Sequence, residues 1–375
     1  MKFPYPSLLP EWIHRQIVMI EPSKSNTESI LSYGDDVVLS MWIEGARNKL
    51  PYIRSGFVHI AAELNADLAL CYIDWTESKY RVKTIPVGGD LRSALLQFYS
   101  MFPDQRPNDL YITGESYAGK YYINLKGLSI GDGAMSPPDQ FKNFGDLLFY
   151  TGSIDSKEKA VFDDYDAKIQ ASLASGDNVG AFEHFDEMLN GDFYEYPTYY
   201  TNVTGLTNYF NFEQGDCGSC VPEYYDDWLD LDETRAKIHV GDLEYSSFNE
   251  TVEVYLKEDW MRGVVDMLVP LMESSDIKVL VYSGQNDIIL GAPLTEQFLD
   301  GLEWQGADDY DATEKEVWRV DSDTEQGQND PIAGYRKTVS KWGFTYAVVR
   351  GAGHMVPGDQ PERSYDLITT FVDKA

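Results

Sequence analysis

The stretch at residues 111–133, YITGESYAGKYYINLKGLSIGDG, constrains the fold more than any other part of the chain. Ser116 closely follows a strand-like run and is flanked by small residues, so the chain can turn sharply and present the serine hydroxyl at the carboxyl end of the strand. The next strand-like run begins only a few residues later. Parallel neighbours need a crossover of about a dozen residues or more. The stretch therefore predicts a serine at the edge of a parallel sheet, without the helix that usually follows.

Short apolar runs alternate with helical patterns along most of the chain, which is typical of a parallel sheet covered by helices. Residues 90–102 predict one such helix, capped by Asp90 and apolar on one face. The predicted fold class is α/β. The predicted strands are residues 36–42, 68–73, 109–113, 125–130, 278–282 and 346–350.

The middle of the chain has a different pattern. From residue 149 to residue 251, acidic helical stretches and a tyrosine-rich loop replace the strand-like runs. We interpret this segment as an inserted lid between an N-terminal core part, residues 1–148, and a C-terminal core part, residues 252–375. Residues 252–273 predict one long amphipathic helix that returns the chain to the sheet.

The net charge and the distribution of apolar residues argue against several classes of function. It carries 62 acidic and 30 basic residues, a formal net charge of −32, which disfavours binding to nucleic acid. No run of 18 apolar residues is present, so no membrane span is expected, and the N-terminus does not have the pattern of a signal peptide. No metal or cofactor is expected. The sequence leaves the oligomeric state open.

Three residues have the types and the order that nucleophilic catalysis requires. Of the five histidines, His354 lies in a glycine-punctuated loop directly after a predicted strand, and Asp287 follows the strand-like VLVY. The order Ser116, Asp287, His354 is that of the α/β-hydrolase triads. In this scheme His354 accepts the serine proton, while Asp287 fixes its tautomer and stabilises the imidazolium. The alternative is a solvated aspartate in a turn and an ordinary loop histidine.

The motifs TGESYAGKY, GLSIGDG, VYSGQNDIIL and GAGHMVPGDQP resemble those of the serine carboxypeptidases, and most closely the vitellogenic carboxypeptidase-like proteins. The resemblance extends from about residue 36 to the C-terminus. It implies an α/β-hydrolase fold with a helical lid, and a secreted or lysosomal enzyme that removes one C-terminal residue from peptides or proteins at acid pH. It assigns the triad to Ser116, Asp287 and His354, and one oxyanion donor to the N–H of Tyr117.

The resemblance also assigns substrate contacts. Glu115 is expected to bind the terminal carboxylate of the substrate, for which it must hold a proton, and burial among other acids would raise its pKa enough to do so. At the position of the family's glycine-rich oxyanion loop, this chain has the sequence MWIEGARNKLPY. Ala46 takes the position of the second oxyanion donor, and Glu44 that of a polar residue near the substrate carboxylate.

Two departures from the family leave two functions in competition. The altered oxyanion loop and the short link after Ser116 predict a carboxypeptidase of lowered activity, or a catalytically silent carboxypeptidase-like protein that binds peptides or partners through its lid. An acyltransferase or esterase would use the same triad. Two N-x-[ST] sequons, at Asn202 and Asn249, are candidate glycosylation sites if the chain is secreted.

Overall fold

The computed structural model describes residues 59–60, 69–70, 95–96, 98–100, 102–103, 107, 109–116, 126–215, 228–237, 250–320 and 332–373. Within this part a six-stranded sheet is covered by helices, and no helix there is long and apolar enough to cross a membrane. The strands in chain order are β1 (His59–Ile60), β2 (Ala69–Leu70), β3 (Tyr111–Glu115), β4 (Gly127–Gly131), β5 (Lys278–Gly284), β6 (Glu316–Arg319), β7 (Ile332–Val339) and β8 (Phe344–Val349).

The α-helices surround this sheet and fill the segment between β4 and β5. They are α1 (Pro137–Gln140), α2 (Phe144–Tyr150), α3 (Ser156–Ser175), α4 (Asn178–Phe185), α5 (Tyr199–Thr204), α6 (Asp232–Lys237), α7 (Glu250–Trp260), α8 (Val265–Met272), α9 (Ala292–Asp300), α10 (Ala307–Ala312), α11 (Val356–Asp359) and α12 (Pro361–Asp373). The predicted lid boundaries remain a prediction.

The main sheet has the order β3-β4-β5-β8-β7-β6. The first four strands are parallel neighbours, and β7 and β6 add an antiparallel edge. The prediction of a mostly parallel α/β sheet is therefore confirmed. The sequence did not reveal β6 and β7, because charged residues interrupt EVWR and IAGYRKTV and leave neither run continuously apolar.

Two predicted elements are wrong in detail. Within residues 68–73, β2 pairs antiparallel with β1 in a separate two-stranded sheet and is not one of the parallel strands. Residues 252–273 form parts of α7 and α8 instead of one helix. The chain leaves α7 before Gly263, and the N–H of Val264 donates to the carbonyl oxygen of Met135 at 2.8 Å. This tertiary hydrogen bond replaces the continuing helical one.

Two other helices follow their sequence patterns. Within residues 90–102, Leu95 and Phe98 lie in helical backbone with buried side chains, while Leu96 is exposed, as an amphipathic helix requires. Helix α3 begins with a capping box, in which Asp155 accepts from the N–H of Glu158 and the Glu158 carboxylate accepts from the N–H of Asp155.

The buried apolar side chains of the described residues form three large clusters and a small one at Phe98. Two of the large clusters cover the faces of the sheet. The third joins the helical region, which comprises α1 to α7, to the loop after β5 through Ile288, Ile289 and Leu290. In β4 every residue is buried, whereas in β3 only Ile112 is. The sheet is thus densely packed at β4, β5 and β8 and thinly covered at β3.

Candidate active site

Four adjacent parallel strands each supply one polar side chain at the same edge of the sheet. Ser116 directly follows β3 and Asp132 directly follows β4, while Asp287 and His354 lie in the loops after β5 and β8. The carboxyl ends of parallel strands face the crevice where ligands of open α/β sheets bind. The topology therefore collects these residues from distant parts of the chain.

Ser116 has an unusual backbone conformation. Its φ of 60° lies in the left-handed region, which non-glycine residues rarely adopt, and its side chain is buried. Its carbonyl oxygen accepts a hydrogen bond from the N–H of Ala134 at 3.2 Å, which ties the turn to the end of β4. Strain of this kind costs about 1–3 kcal/mol and is typical of the turn that exposes a nucleophile.

Asp287 and His354 are in direct contact. A hydrogen bond of 2.9 Å joins Nδ1 of His354 to Oδ2 of Asp287, and both side chains are buried. The other carboxylate oxygen, Oδ1, accepts from the N–H of Ile289 at 3.0 Å. A carboxylate can only accept, so this pairing places the proton of a neutral imidazole on Nδ1 and leaves Nε2 with its lone pair.

A loop from the helical region holds the histidine in place. The ring of Phe210 stacks on the imidazole with centroids 4.9 Å apart, and its carbonyl oxygen accepts from the N–H of His354 at 2.6 Å. The neighbouring Asn211 donates from Nδ2 to Asp359, which also accepts from the N–H of Gly353. The histidine loop is thus fixed by the sheet on one side and the helical region on the other.

Glu115 is the last residue of β3 and directly precedes Ser116. Its carboxylate accepts from the hydroxyl of Tyr282 and from the N–H of Val356, both at 3.2 Å. Glu115 is half-buried as a residue, and the desolvation of its carboxylate raises the pKa of Glu115 to about 7, although His354 and these two donors act in the opposite direction. Glu115 is therefore largely protonated in mildly acidic solution.

Gly131 makes the contact between Tyr282 and Glu115 feasible. The three residues share one row of the sheet, with Gly131 paired to Glu115 on one side and to Tyr282 on the other. A Cβ on Gly131 would overlap the Tyr282 ring. The missing side chain lets the tyrosine cross β4 and reach Glu115.

Asp132 was not singled out from the sequence. It is fully buried, and its Oδ1 accepts from the N–H of Gly284 at 2.8 Å. Burial first, and then the charges of Asp287 and Glu115, raise the pKa of Asp132 well above its ordinary range. The signal available in the sequence was an acid directly after the apolar run GLSIG, a placement similar to that of Asp287.

An oxygen of Asp132, an oxygen of Asp287 and a ring nitrogen of His354 lie within 4.8 Å of one another. Such spacing suits a metal ion, but two of the three side chains already bond to each other through Nδ1 and Oδ2. A buried His–Asp hydrogen bond is also the arrangement that orients the imidazole of a general base.

Several predicted site residues lie outside the described residues: Tyr117, Ala46, Glu44 and Asn249. Asn202 is exposed on α5, where its Nδ2 donates to the carbonyl oxygen of Pro197. The convergence of the Ser116 and His354 side chains stays a prediction. The link after Ser116 also falls outside the described residues, but β4 occupies the predicted position as the parallel neighbour of β3.

Comparison with known proteins agrees with this geometry. The family model described as serine carboxypeptidase matches residues 73–374, which is most of the chain. The chain belongs to the serine carboxypeptidase family. The venom serine carboxypeptidase of Apis mellifera is 37% identical over 312 residues, which cover 79% of this chain and 64% of the relative.

The vitellogenic carboxypeptidase of Aedes aegypti is 33% identical over 317 residues, which cover 80% of this chain and 64% of the relative. This member of the family thus spans slightly less than two thirds of the length of these curated relatives. Among solved structures, Kex1(delta)p, a prohormone-processing carboxypeptidase from Saccharomyces cerevisiae, superposes with a TM-score of 0.61 at 17% identity, over 90% of this chain and 83% of that one. This match supports the α/β-hydrolase fold.

Proposed function

We propose that the chain is a serine-type carboxypeptidase that removes one C-terminal residue from peptides or proteins at acid pH, with Ser116 as nucleophile, His354 as base and Asp287 as its orienting acid. The observation that carries the proposal is the buried 2.9 Å hydrogen bond between Asp287 and His354. It lies at the same edge of the sheet as Ser116, whose backbone is strained. Membership of the family supplies the reaction class.

In the first half of the reaction, Nε2 of His354 takes the hydroxyl proton as Oγ of Ser116 attacks the carbonyl carbon of the last peptide bond. The resulting tetrahedral intermediate collapses when the C–N bond breaks. The leaving amine then takes the proton from Nε2, and the C-terminal amino acid departs. The remaining peptide stays bound to Ser116 as an ester.

In the second half, Nε2 removes a proton from water while the water oxygen attacks the ester carbon. Collapse breaks the bond to Oγ, and Ser116 regains its proton from His354. Throughout, Asp287 holds the imidazole in one tautomer and balances its positive charge when Nε2 is protonated.

The oxyanion of each intermediate needs hydrogen-bond donors. We assign these to the N–H groups of Tyr117 and Ala46, following the family's pattern. Loss of one such donor lowers the rate about 10²–10³-fold. Since Ala46 replaces a glycine and is followed by Arg47, the proposed activity is lower than that of a relative with the glycine-rich loop.

Selection for a free C-terminus is assigned to Glu115, with Glu44 as a second contact. A neutral carboxyl group can donate a hydrogen bond to the substrate carboxylate, whereas an ionised one repels it. The pKa of about 7 for Glu115 keeps it neutral in mildly acidic solution. Binding of substrate should therefore weaken as the pH rises above neutrality.

An acidic compartment fits this chemistry, and a secreted or lysosomal location is proposed, as is glycosylation at Asn202 and Asn249. In such a compartment carboxylates take up protons, so the net charge of −32 would become less negative.

The second candidate is a catalytically silent carboxypeptidase-like binding protein. The sequence ARN in place of the family's glycine-rich turn, and the short link behind Ser116, favour it. In that case peptides would bind without being cleaved.

One experiment separates the two candidates. A peptide and its C-terminally amidated form are incubated with the chain at pH 5, and released amino acids are quantified by mass spectrometry. If the chain is a carboxypeptidase, we expect the C-terminal amino acid to be released from the free acid and little to be released from the amide. A Ser116→Ala variant should release none. Equal cleavage of both forms would contradict the role of Glu115. Saturable binding of the free acid with no release would support the silent protein.

A further inference from the structure

The mechanism above makes no use of Asp132, although this acid lies inside the catalytic cluster. It is fully buried at the end of β4, where only Oδ1 has a hydrogen-bond donor, the N–H of Gly284. The other oxygen, Oδ2, is buried and accepts no hydrogen bond from the N–H and O–H groups of the described residues, while the Asp132 side chain is a hydrogen-bond neighbour of Asp287. A carboxyl group so close to Asp287 and His354 bears on their charges.

Two buried carboxylates at this spacing cannot both be ionised without a large electrostatic cost. The geometry indicates which one keeps the charge. Asp287 has a donor on each oxygen, from Ile289 and from His354, whereas Asp132 has one. Since Oδ1 of Asp132 accepts from Gly284, the proton of the pair belongs on Oδ2.

We propose that Asp132 is a positioning residue that acts through Asp287: its Oδ2–H is directed at the Asp287 carboxylate and withdraws part of the negative charge that faces His354. This inference rests on the proposed function, since it concerns the same base. With part of that charge withdrawn, Asp287 stabilises the imidazolium less. His354 then remains a neutral base at a lower pH than a lone carboxylate would allow.

The other groups around Asp132 add little charge to the cluster at mildly acid pH. Glu115 faces it from β3, Tyr282 from β5 and Tyr346 from β8, and burial raises the pKa of all three. At mildly acid pH these groups carry little negative charge, so Asp287 and His354 dominate the electrostatics of the site. Ionisation of Asp132 at higher pH would add a second buried anion and favour the imidazolium.

The test is a titration of the His354 imidazole by NMR, with histidine labelled at Cε1 in the full chain. The His354 signal is identified by its loss in a His354→Gln variant. Three chains are compared: the wild type, Asp132→Asn and Asp132→Ala. Asparagine keeps both an acceptor for Gly284 and a donor for Asp287 but cannot ionise, and alanine keeps neither.

The wild-type curve should show two steps, because the ionisation of Asp132 at higher pH perturbs the histidine. Asp132→Asn should retain the lower midpoint and lose the upper step. Asp132→Ala should raise the midpoint by about one pH unit, because Asp287 then exerts its full charge on the imidazole. Asp166→Asn is the control, a buried acid on α3 that accepts from the N–H of Phe144, and it should leave the curve unchanged.

An unmoved midpoint in Asp132→Ala, or equal shifts in the Asn and Ala variants, would overturn the inference, since a space-filling role predicts no distinction. If the Ala variant does not fold, superimposable wild-type and Asn curves overturn it and loss of the upper step supports it. The same samples are treated with a fluorophosphonate. Normal titration behaviour without labelling would contradict the proposed function alone, and normal labelling with unmoved titrations would contradict this inference alone.

Discussion

The two halves of the candidate triad are held in different ways. Asp287 and His354 follow the central strands β5 and β8, which are buried almost throughout and are braced by the loop at Phe210. Ser116 follows β3, where only Ile112 is buried and β4 is the partner within the described sheet. The Asp287–His354 pair is therefore fixed by packing, whereas Ser116 depends on a less buried strand and a strained turn.

The largest expected effect is on turnover, which truncation of either half of the candidate triad should abolish or nearly abolish. Only truncation of the Asp287–His354 half should also lower the stability of the fold. Asp287→Ala should lower turnover about 10⁴-fold. It should also lower the free energy of unfolding by about 2–4 kcal/mol, because the Ile289 N–H and the His354 imidazole lose their partner inside the protein. Ser116→Ala should abolish turnover while changing the free energy of unfolding by less than about 1 kcal/mol. Turnover assays and urea unfolding measure both quantities, and equal losses of stability in the two variants would break the comparison.

The next effect concerns the dependence of stability on pH. Burial raises the folded-state pKa of Glu115 and of Asp166 to about 7, above their ordinary values of 4.5 and 3.8. Because the folded state holds these protons more tightly, the stability they contribute is present below the ordinary values and is lost as the pH rises to about 7.

The expected loss is at most about 3–4 kcal/mol for each group between pH 4 and pH 8. Unfolding is followed at both pH values in the wild type, Glu115→Gln and Asp166→Asn. Each substitution should reduce the difference in the free energy of unfolding between pH 4 and pH 8. Glu115→Gln removes the contribution of a group at the sheet edge, and Asp166→Asn that of a group in the helical region. A wild-type chain more stable at pH 8 than at pH 4 would be inconsistent with both assignments.

A smaller effect is expected at the row shared by Glu115, Gly131 and Tyr282. Gly131→Ala should displace the Tyr282 ring, and with it the hydroxyl that contacts Glu115. The KM for peptides with a free C-terminus should rise about tenfold, a loss of about 1.4 kcal/mol in binding, with kcat changing less. Tyr282→Phe is the matched control, since it removes the hydroxyl without moving the ring. A fall in kcat at constant KM would contradict this prediction, because it would mean that Glu115, Gly131 and Tyr282 act in the chemical step and not in binding.

The smallest effect is expected from relieving the backbone strain at Ser116. Ser116→Gly removes the Cβ at a φ of 60° and should raise the free energy of unfolding by about 1 kcal/mol, while Ser116→Ala should not. Both variants should be inactive. Thermal unfolding of the two variants side by side provides the measurement, and equal melting temperatures would show that the turn stores no strain.

The sequence was informative where local pattern and burial coincide. The four parallel strands of the main sheet and the placement of Asp287 and His354 after two of them could be predicted, because an apolar run followed by a polar residue is a local signal. The hairpin of β6 and β7 could not, since its strands are amphipathic and their pairing is tertiary. The break at Gly263 could not either, because the hydrogen bond from Val264 to Met135 joins residues far apart in the chain. Asp132 acquires its properties from four strands at once, which no window of sequence contains.

The central claim is that His354 and Asp287 activate Ser116, and reaction with a fluorophosphonate tests it most directly. The reagent phosphonylates a serine only when a base and an oxyanion site assist the attack. The wild-type chain should carry one adduct, located on Ser116 by peptide mapping, and its rate of formation should fall steeply in His354→Gln. Absence of an adduct in the folded wild type, or labelling at an unchanged rate in His354→Gln, would contradict the claim.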